Sequence, residues 1–121
     1  MTEPASFTNL AIIDWEQFAS RYGKPAIQKM VLQSLLTHHA ASPQEVRTLT
    51  SQNDAQAVEK VAHKLKGAAG IISAPRLTEI AKSLEGQVQN SQIFDPALAQ
   101  ALADGMDELL NAAQAKLATL G

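Results

Sequence analysis

Cysteine is absent from this chain of 121 residues, which excludes disulfides and thiolate metal sites. That absence fits a reducing compartment, and the expected location is cytoplasmic. Aromatic residues are few: one Trp, one Tyr and three Phe. No apolar run approaches the roughly 18 residues needed to span a bilayer, so no membrane insertion is expected. The opening Met-Thr-Glu-Pro-Ala-Ser has neither the basic nor the apolar region of a signal peptide. Neither sign of charge dominates: 10 Lys and Arg face 12 Asp and Glu, a net charge of −2. A chain so balanced lacks the electropositive surface of a general nucleic-acid binder, and none is expected as a partner. Strand alternation, internal repeats and flexible linkers are also missing.

What is present favours helices. Alanine, leucine and glutamine are abundant, and all three are good helix formers. The length suits one domain over residues 1–121, able to bury roughly 65–70% of its unfolded surface without staples. Asp14 is a candidate N-cap with Gln17 at N3 and an Ile13–Phe18 staple. Trp15, Phe18, Ala19 and Tyr22 form a short apolar stripe that Gly23 ends, and Pro25 opens the next helix. Ile27, Met30, Val31, Leu35 and His38 recur at helical spacing to about His39. Ser42-Pro43-Gln44-Glu45 reads as a capping box with proline at N1, leading into Val46 and Leu49.

Asp54 caps a helix that runs to about Ile72, and Ser73-Ala74-Pro75 breaks it, because the residue before proline disfavours the αR region. Leu77, Ile80, Ala81, Leu84 and Val88 mark another helix, and Gln89-Asn90-Ser91-Gln92 reads as a loop. Asp95-Pro96 starts a last long helix through Leu98, Leu102, Met106, Leu109, Ala113, Leu117 and Leu120, which Gly105 weakens by about 1 kcal/mol relative to alanine. The predicted architecture is all-α: an antiparallel four-helix bundle over about residues 25–120, with short N-terminal helices covering one end.

The most informative stretch is Ala62-His63-Lys64-Leu65-Lys66-Gly67-Ala68-Ala69-Gly70. On a helical wheel stepping 100° per residue, Lys66 and Gly67 fall one turn ahead of His63 and Gly70 two turns ahead. Glu59 and Lys60 fall one turn behind. Val58, Val61, Leu65, Ala68, Ala69 and Ile72 lie on the far side. His63 therefore stands on the solvated face, with glycine leaving space beside it. A neutral imidazole, whose reference pKa is about 6.5, offers one nitrogen as a nucleophile near pH 7. Attack on an acyl phosphate gives a phosphoramidate whose negative charge needs a cation, and Lys66 at i+3 has the reach. Lys60 and Lys64 add diffuse positive potential. Gly67 and Gly70 leave a shallow surface for a partner.

The same residues carry a resemblance. His63-x-Leu65-Lys66-Gly67, followed by Leu77-x-x-x-Ala81-x-x-Leu84-Glu85, resembles the histidine-containing phosphotransfer (HPt) domain of multi-step two-component signalling. The motif covers about Leu49 to Glu85, and the helical pattern extends the likeness over nearly the whole chain. Two positions depart from it: Ser73 stands where the family commonly has glycine, and Ala68 where serine is frequent. The resemblance implies that His63 takes a phosphoryl group from a receiver-domain aspartate and passes it to another receiver. The partners implied are response-regulator receivers and a hybrid sensor kinase. The receiver, not this chain, would bring Mg²⁺. The chain would be a monomeric carrier with no cofactor of its own and no autonomous kinase activity. The expected docking face holds Gln56, Glu59, Lys60, Lys64, His63, Lys66, Gly67 and Gly70, with part of the helix from Leu77 to Val88.

The bend near Ala74 is about equidistant from His63 and Glu85, so a helical hairpin brings the two to similar heights. Lys82 and Glu85 are thus candidate neighbours of the imidazole, or partners in a plain salt bridge. The adjacent His38 and His39 point about 100° apart with no carboxylate at ligand spacing, so no metal site is expected. A metal-dependent or acid–base enzyme would need a ligand set or a nucleophile–base pair that the sequence does not supply. The alternative that stays open is a helical adaptor in which His63 is an ordinary surface histidine.

Overall fold

The computed structural model describes residues 7–120. The opening residues 1–6, which carried the leader-peptide reading, and Gly121 lie outside the described residues. Among the described residues six helices follow one another: α1 Trp15–Arg21, α2 Pro25–His39, α3 Ser42–Ser51, α4 Ala55–Ile72, α5 Pro75–Ser91 and α6 Pro96–Leu120. No strand occurs among the described residues.

Four arms make the bundle. The first is α2 and α3 together, bent where they join; α4, α5 and α6 are the others. The α2–α3 arm packs on α6 and more lightly on α4, α4 pairs most extensively with α5, and α5 returns to α6. The core gathers Leu32, Val46, Val58, Leu65, Ile72, Leu77, Leu84, Leu102 and Leu109 in one buried cluster. Leu65, Ile72, Leu84, Leu102 and Leu109 thus meet as the helical spacing requires.

The bend in the first arm corrects the capping-box reading. Ala40 and Ala41 both stay in the αR region, and α3 begins with Ser42, so Pro43 sits at its second position. Proline has no N–H, and its ring crowds the carbonyl four residues back, here that of His39. The helix therefore kinks without a capped restart. Ser42 makes no cap bond; its hydroxyl pairs with His39 Nδ1 at 3.2 Å.

The caps at Asp14, Asp54 and Asp95 are present, accepting from the backbone N–H of Gln17 at 3.0 Å, Ala57 at 3.1 Å and Ala97 at 2.9 Å. The reciprocal half of a box at Asp14 is not used, because the Asp14 N–H donates to Ser73 O at 2.7 Å. The loop expected over residues 89–92 is mostly helix: α5 continues to Ser91, and Gln92 ends it in the left-handed region at φ 65°. Nothing in Gln89-Asn90-Ser91 removes a backbone donor, so the helix persists until Gln92.

The α2 stripe is also revised. The core takes Gln28, Leu32 and Leu35, while Ile27 and Met30 are exposed. Two apolar stripes share this helix, and α6 takes the leucine one. The other stripe faces a groove of about 370 Å³ beside α4, lined by Met30, Val31, Ser34, His38, Ala68 and Ile71 among others.

The N-terminal segment closes the end of the bundle where α4 turns into α5. Phe18 of α1 is buried, flanked edge-on by Trp15 and Tyr22 at centroid distances of 5.4 and 5.3 Å. The turn itself rests on Ser73, a buried non-glycine residue at φ 61° and ψ 53°. Its N–H reaches Gly70 O, the Ala74 N–H reaches Ala69 O at 2.8 Å, and its carbonyl accepts from Asp14. This is how the chain turns without the glycine common in the resembling family.

Candidate functional site

His63 lies mid-way along α4, next to buried Ala62 and on the face opposite the other buried residues Val58, Val61, Leu65, Ala69 and Ile72. Its side chain is 70% exposed, so a reactant can reach the ring from solvent. Packing of α4 against α5 brings Glu85 beneath it. Glu85 is a buried charged residue, and its side chain keeps only 10% of its surface.

Each oxygen of Glu85 has one partner. Oε2 lies 2.6 Å from His63 Nδ1, and Oε1 accepts from Lys66 Nζ at 2.6 Å. A buried carboxylate is costly unless paired and hydrogen-bonded, and this one is both. Lys66 beside it, followed by the His63 hydrogen bond, holds the Glu85 carboxyl below its ordinary value of 4.5, against a desolvation that pushes it up. The group is therefore an acceptor-only carboxylate at neutral pH. It follows that Nδ1 of His63 carries the hydrogen and donates it. In the neutral ring Nε2 is then the nitrogen with the free lone pair.

Space around the ring comes from two glycines. A Cβ built on Gly67 or Gly70 meets nothing within 4 Å, so neither glycine serves close helix packing. Glu59, Lys60, His63 and Glu85 line a shallow depression of about 320 Å³. Gln56 and Lys60 are exposed on the same face, and Glu59 is partly so. Lys64 is exposed and paired with Glu45 at 3.2 Å. Lys82 is exposed and bonds neither His63 nor Glu85, so of the two candidate neighbours only Glu85 meets the imidazole.

His38 and His39 are occupied apart from one another: His38 Nδ1 lies 2.8 Å from Ser34 O, and His39 Nδ1 meets Ser42. Burial, helped by Lys64, lowers the pKa of His39. Among the described residues no group of three His, Cys, Asp or Glu could hold a metal ion. No helix of the described residues is long and apolar enough to cross a membrane.

Two features escaped the sequence reading. Arg21 donates to Gly70 O at 2.7 Å and Ile71 O at 3.1 Å, and the Tyr22 hydroxyl donates to Ile71 O at 2.8 Å. Both partners lie about 49 residues away in sequence, and no local pattern announces such a contact. The apolar groove beside α4 was hidden because its residues read as core.

The family model of the Hpt domain matches residues 30–114, and the chain belongs to that family. Phosphotransfer within a phosphorelay and interaction with receiver domains of response regulators are the general properties this membership carries. No curated protein and no solved structure matches the chain.

Proposed function

We propose that this chain is a phosphoryl carrier whose acceptor atom is Nε2 of His63. The observation that carries the reading is the Glu85 carboxylate 2.6 Å from Nδ1 of an exposed ring, which puts the hydrogen of the neutral imidazole on Nδ1 and leaves its lone pair on Nε2. The donor is the phosphoaspartate of a receiver domain, for which a hybrid sensor kinase is the expected source, and a second receiver takes the group onward.

In the transfer, the Nε2 lone pair attacks phosphorus as the bond from phosphorus to the aspartate oxygen breaks. The carboxylate leaves with that electron pair. The ring gains positive charge and no proton has to depart, because Nδ1–H stays against Glu85. The carboxylate offsets that charge in the transition state and the product, as a buried acid does for the imidazolium of a catalytic triad.

A buried carboxylate close to an arriving phosphoryl group would repel it were it unpaired. Lys66 answers this. One of its three N–H donors serves Glu85, and two remain for phosphoryl oxygens. Gly67 and Gly70 keep the approach open, so the partner's aspartate can come within the roughly 3–3.5 Å that near-attack geometry requires.

The receiver would bring any Mg²⁺ that its own aspartate chemistry uses. The docking face is centred on His63, with Gln56, Glu59, Lys60 and Lys64 at one side. Beyond Gly67 it continues into the apolar groove of Met30, Val31 and Ile71, where a receiver's apolar surface would be covered. The carrier acts as a cytoplasmic monomer.

The test is direct. A receiver domain carrying labelled phosphate is mixed with the chain, and label on the chain is followed. Acid-labile, base-stable label that His63→Gln abolishes supports the reading. Label that persists in His63→Gln contradicts it.

A further inference from the structure

Three arginines lie among the described residues, and two of them are spent on carboxylates of this chain. Arg47 binds Asp104 at 2.9 Å and Asp107 at 2.6 Å, and Arg76 binds Glu108 at 2.9 Å. Arg21 meets no carboxylate. Both of its bonds run from Nη1 to the last carbonyls of α4, those of Gly70 and Ile71. It is exposed, and among the described residues its Nη2 and Nε donate to nothing.

We infer that Arg21 is a docking residue for the receiver, pairing through its free guanidinium edge with a carboxylate on the receiver's rim. The inference rests on the phosphocarrier reading and adds a contact to it. Its first support is placement. Gly70 falls two turns after His63 on the same wheel face, about 10.5 Å along the helix at 1.5 Å per residue. A transient signalling interface covers on the order of 600 Å² per partner, a disc of about 14 Å radius. A receiver centred on His63 therefore reaches Gly70, whose carbonyl Arg21 holds, and Arg21 stands at its rim.

The second support is preorganisation. An arginine held by two backbone carbonyls has already lost much of its side-chain freedom, so pairing it costs less entropy than pairing a loose lysine. Lys60, also exposed and without a carboxylate partner among the described residues, lies before His63, so it and Arg21 bracket the nucleophile.

A helix-capping role alone is the competing explanation, and Tyr22 separates the two because it caps the same Ile71 carbonyl without charge. The experiment uses the full chain and receiver domains from the same genome, each phosphorylated with acetyl phosphate. The receiver that transfers fastest to the unaltered chain serves as the probe. Transfer is measured against receiver concentration at low and at high salt for Arg21→Gln, Arg21→Lys and Tyr22→Phe, with melting followed for each.

The expected result is a KM raised about three- to fivefold in Arg21→Gln at low salt, the size of an exposed charge pair. The rate at saturation stays unchanged and the difference shrinks at high salt. Arg21→Lys recovers part of the affinity, and Tyr22→Phe leaves KM alone. An unchanged KM in Arg21→Gln overturns the inference while leaving the carrier reading intact. A salt-independent loss that Tyr22→Phe reproduces, with lowered melting in both, overturns it in favour of capping. If no receiver transfers to the unaltered chain, the carrier reading fails and the inference falls with it.

Discussion

Glu85 accepts the Nδ1 hydrogen of His63 at 2.6 Å, joining α5 to α4 across 22 residues of sequence. This bond decides which nitrogen of the ring is free, and Lys66 on the other oxygen keeps the carboxylate ionised.

Removing that acceptor should slow transfer without unseating the helix. In Glu85→Ala both tautomers of His63 compete; loss of an orienting carboxylate behind a metal-bound histidine costs roughly 10–100-fold, and a loss of about that order is expected here. Glu85→Gln keeps an acceptor and loses the charge, so its rate should fall between the two. Single-turnover transfer from one phosphorylated receiver gives the comparison. A rate within twofold of the unaltered chain in Glu85→Ala would remove Glu85 from the mechanism.

The same carboxylate predicts an acid response. Its pKa is depressed on folding, so it contributes stability above its unfolded value near 4.5 and loses it as pH falls through the lower folded value. Lys66 is the largest cause, so Lys66→Ala should move the Glu85 titration upward. A carboxyl-carbon NMR titration reads this, and an unmoved Glu85 in Lys66→Ala would contradict the assigned cause.

Gly67 should separate stability from function. Open space around its Cβ position means that Gly67→Ala gains about 1 kcal/mol of helix propensity. Gly67→Leu should block transfer by holding the receiver's aspartate beyond reaction distance. Melting curves and transfer rates check the two halves. Wild-type transfer by Gly67→Leu would show the docking face to be elsewhere.

Gly105 should behave in the opposite way. A methyl there collides with Leu77 Cδ2, and Leu77 is fully buried. Overpacking costs about 1–3 kcal/mol, which offsets the roughly 1 kcal/mol of propensity. Gly105→Ala should therefore be neutral or destabilising by up to about 2 kcal/mol in urea unfolding. A gain of about 1 kcal/mol would mean that Leu77 has room to move.

Ser73 offers a stabilising change. A non-glycine residue in the left-handed region costs about 1–2 kcal/mol, and the Ser73 hydroxyl is buried without a hydrogen-bond partner. Ser73→Gly should raise stability by about 1 kcal/mol, seen as a higher Tm. A lower Tm would show that the hydroxyl is satisfied and that the turn carries little strain.

Much of this was legible in the sequence, for reasons that differ by element. The face of α4 was readable because its apolar positions repeat without conflict, which put His63 outside and Leu65 inside. The caps at Asp14, Asp54 and Asp95 were readable because capping is local. The face of α2 was misread in part: of the stripe Ile27, Met30, Val31, Leu35 and His38 only Leu35 is buried, because Leu32 and Leu35 offer a competing stripe and only the position of α6 decides between them. The role of Gly105 was invisible because it depends on Leu77, 28 positions away. At the site, the height of Glu85 followed from the hairpin bend, but its double pairing needed the actual crossing of α4 and α5. Arg21 was missed because long-range side-chain capping leaves no periodic trace.

The central claim is that phosphate resides on Nε2 of His63. The most direct test is nitrogen-15 NMR of the histidine-labelled chain after transfer from a phosphorylated receiver. The account predicts a single phosphohistidine, at His63, with phosphorus coupled to Nε2 and a protonated Nδ1. Coupling to Nδ1, or a phosphohistidine at His38 or His39, would contradict it.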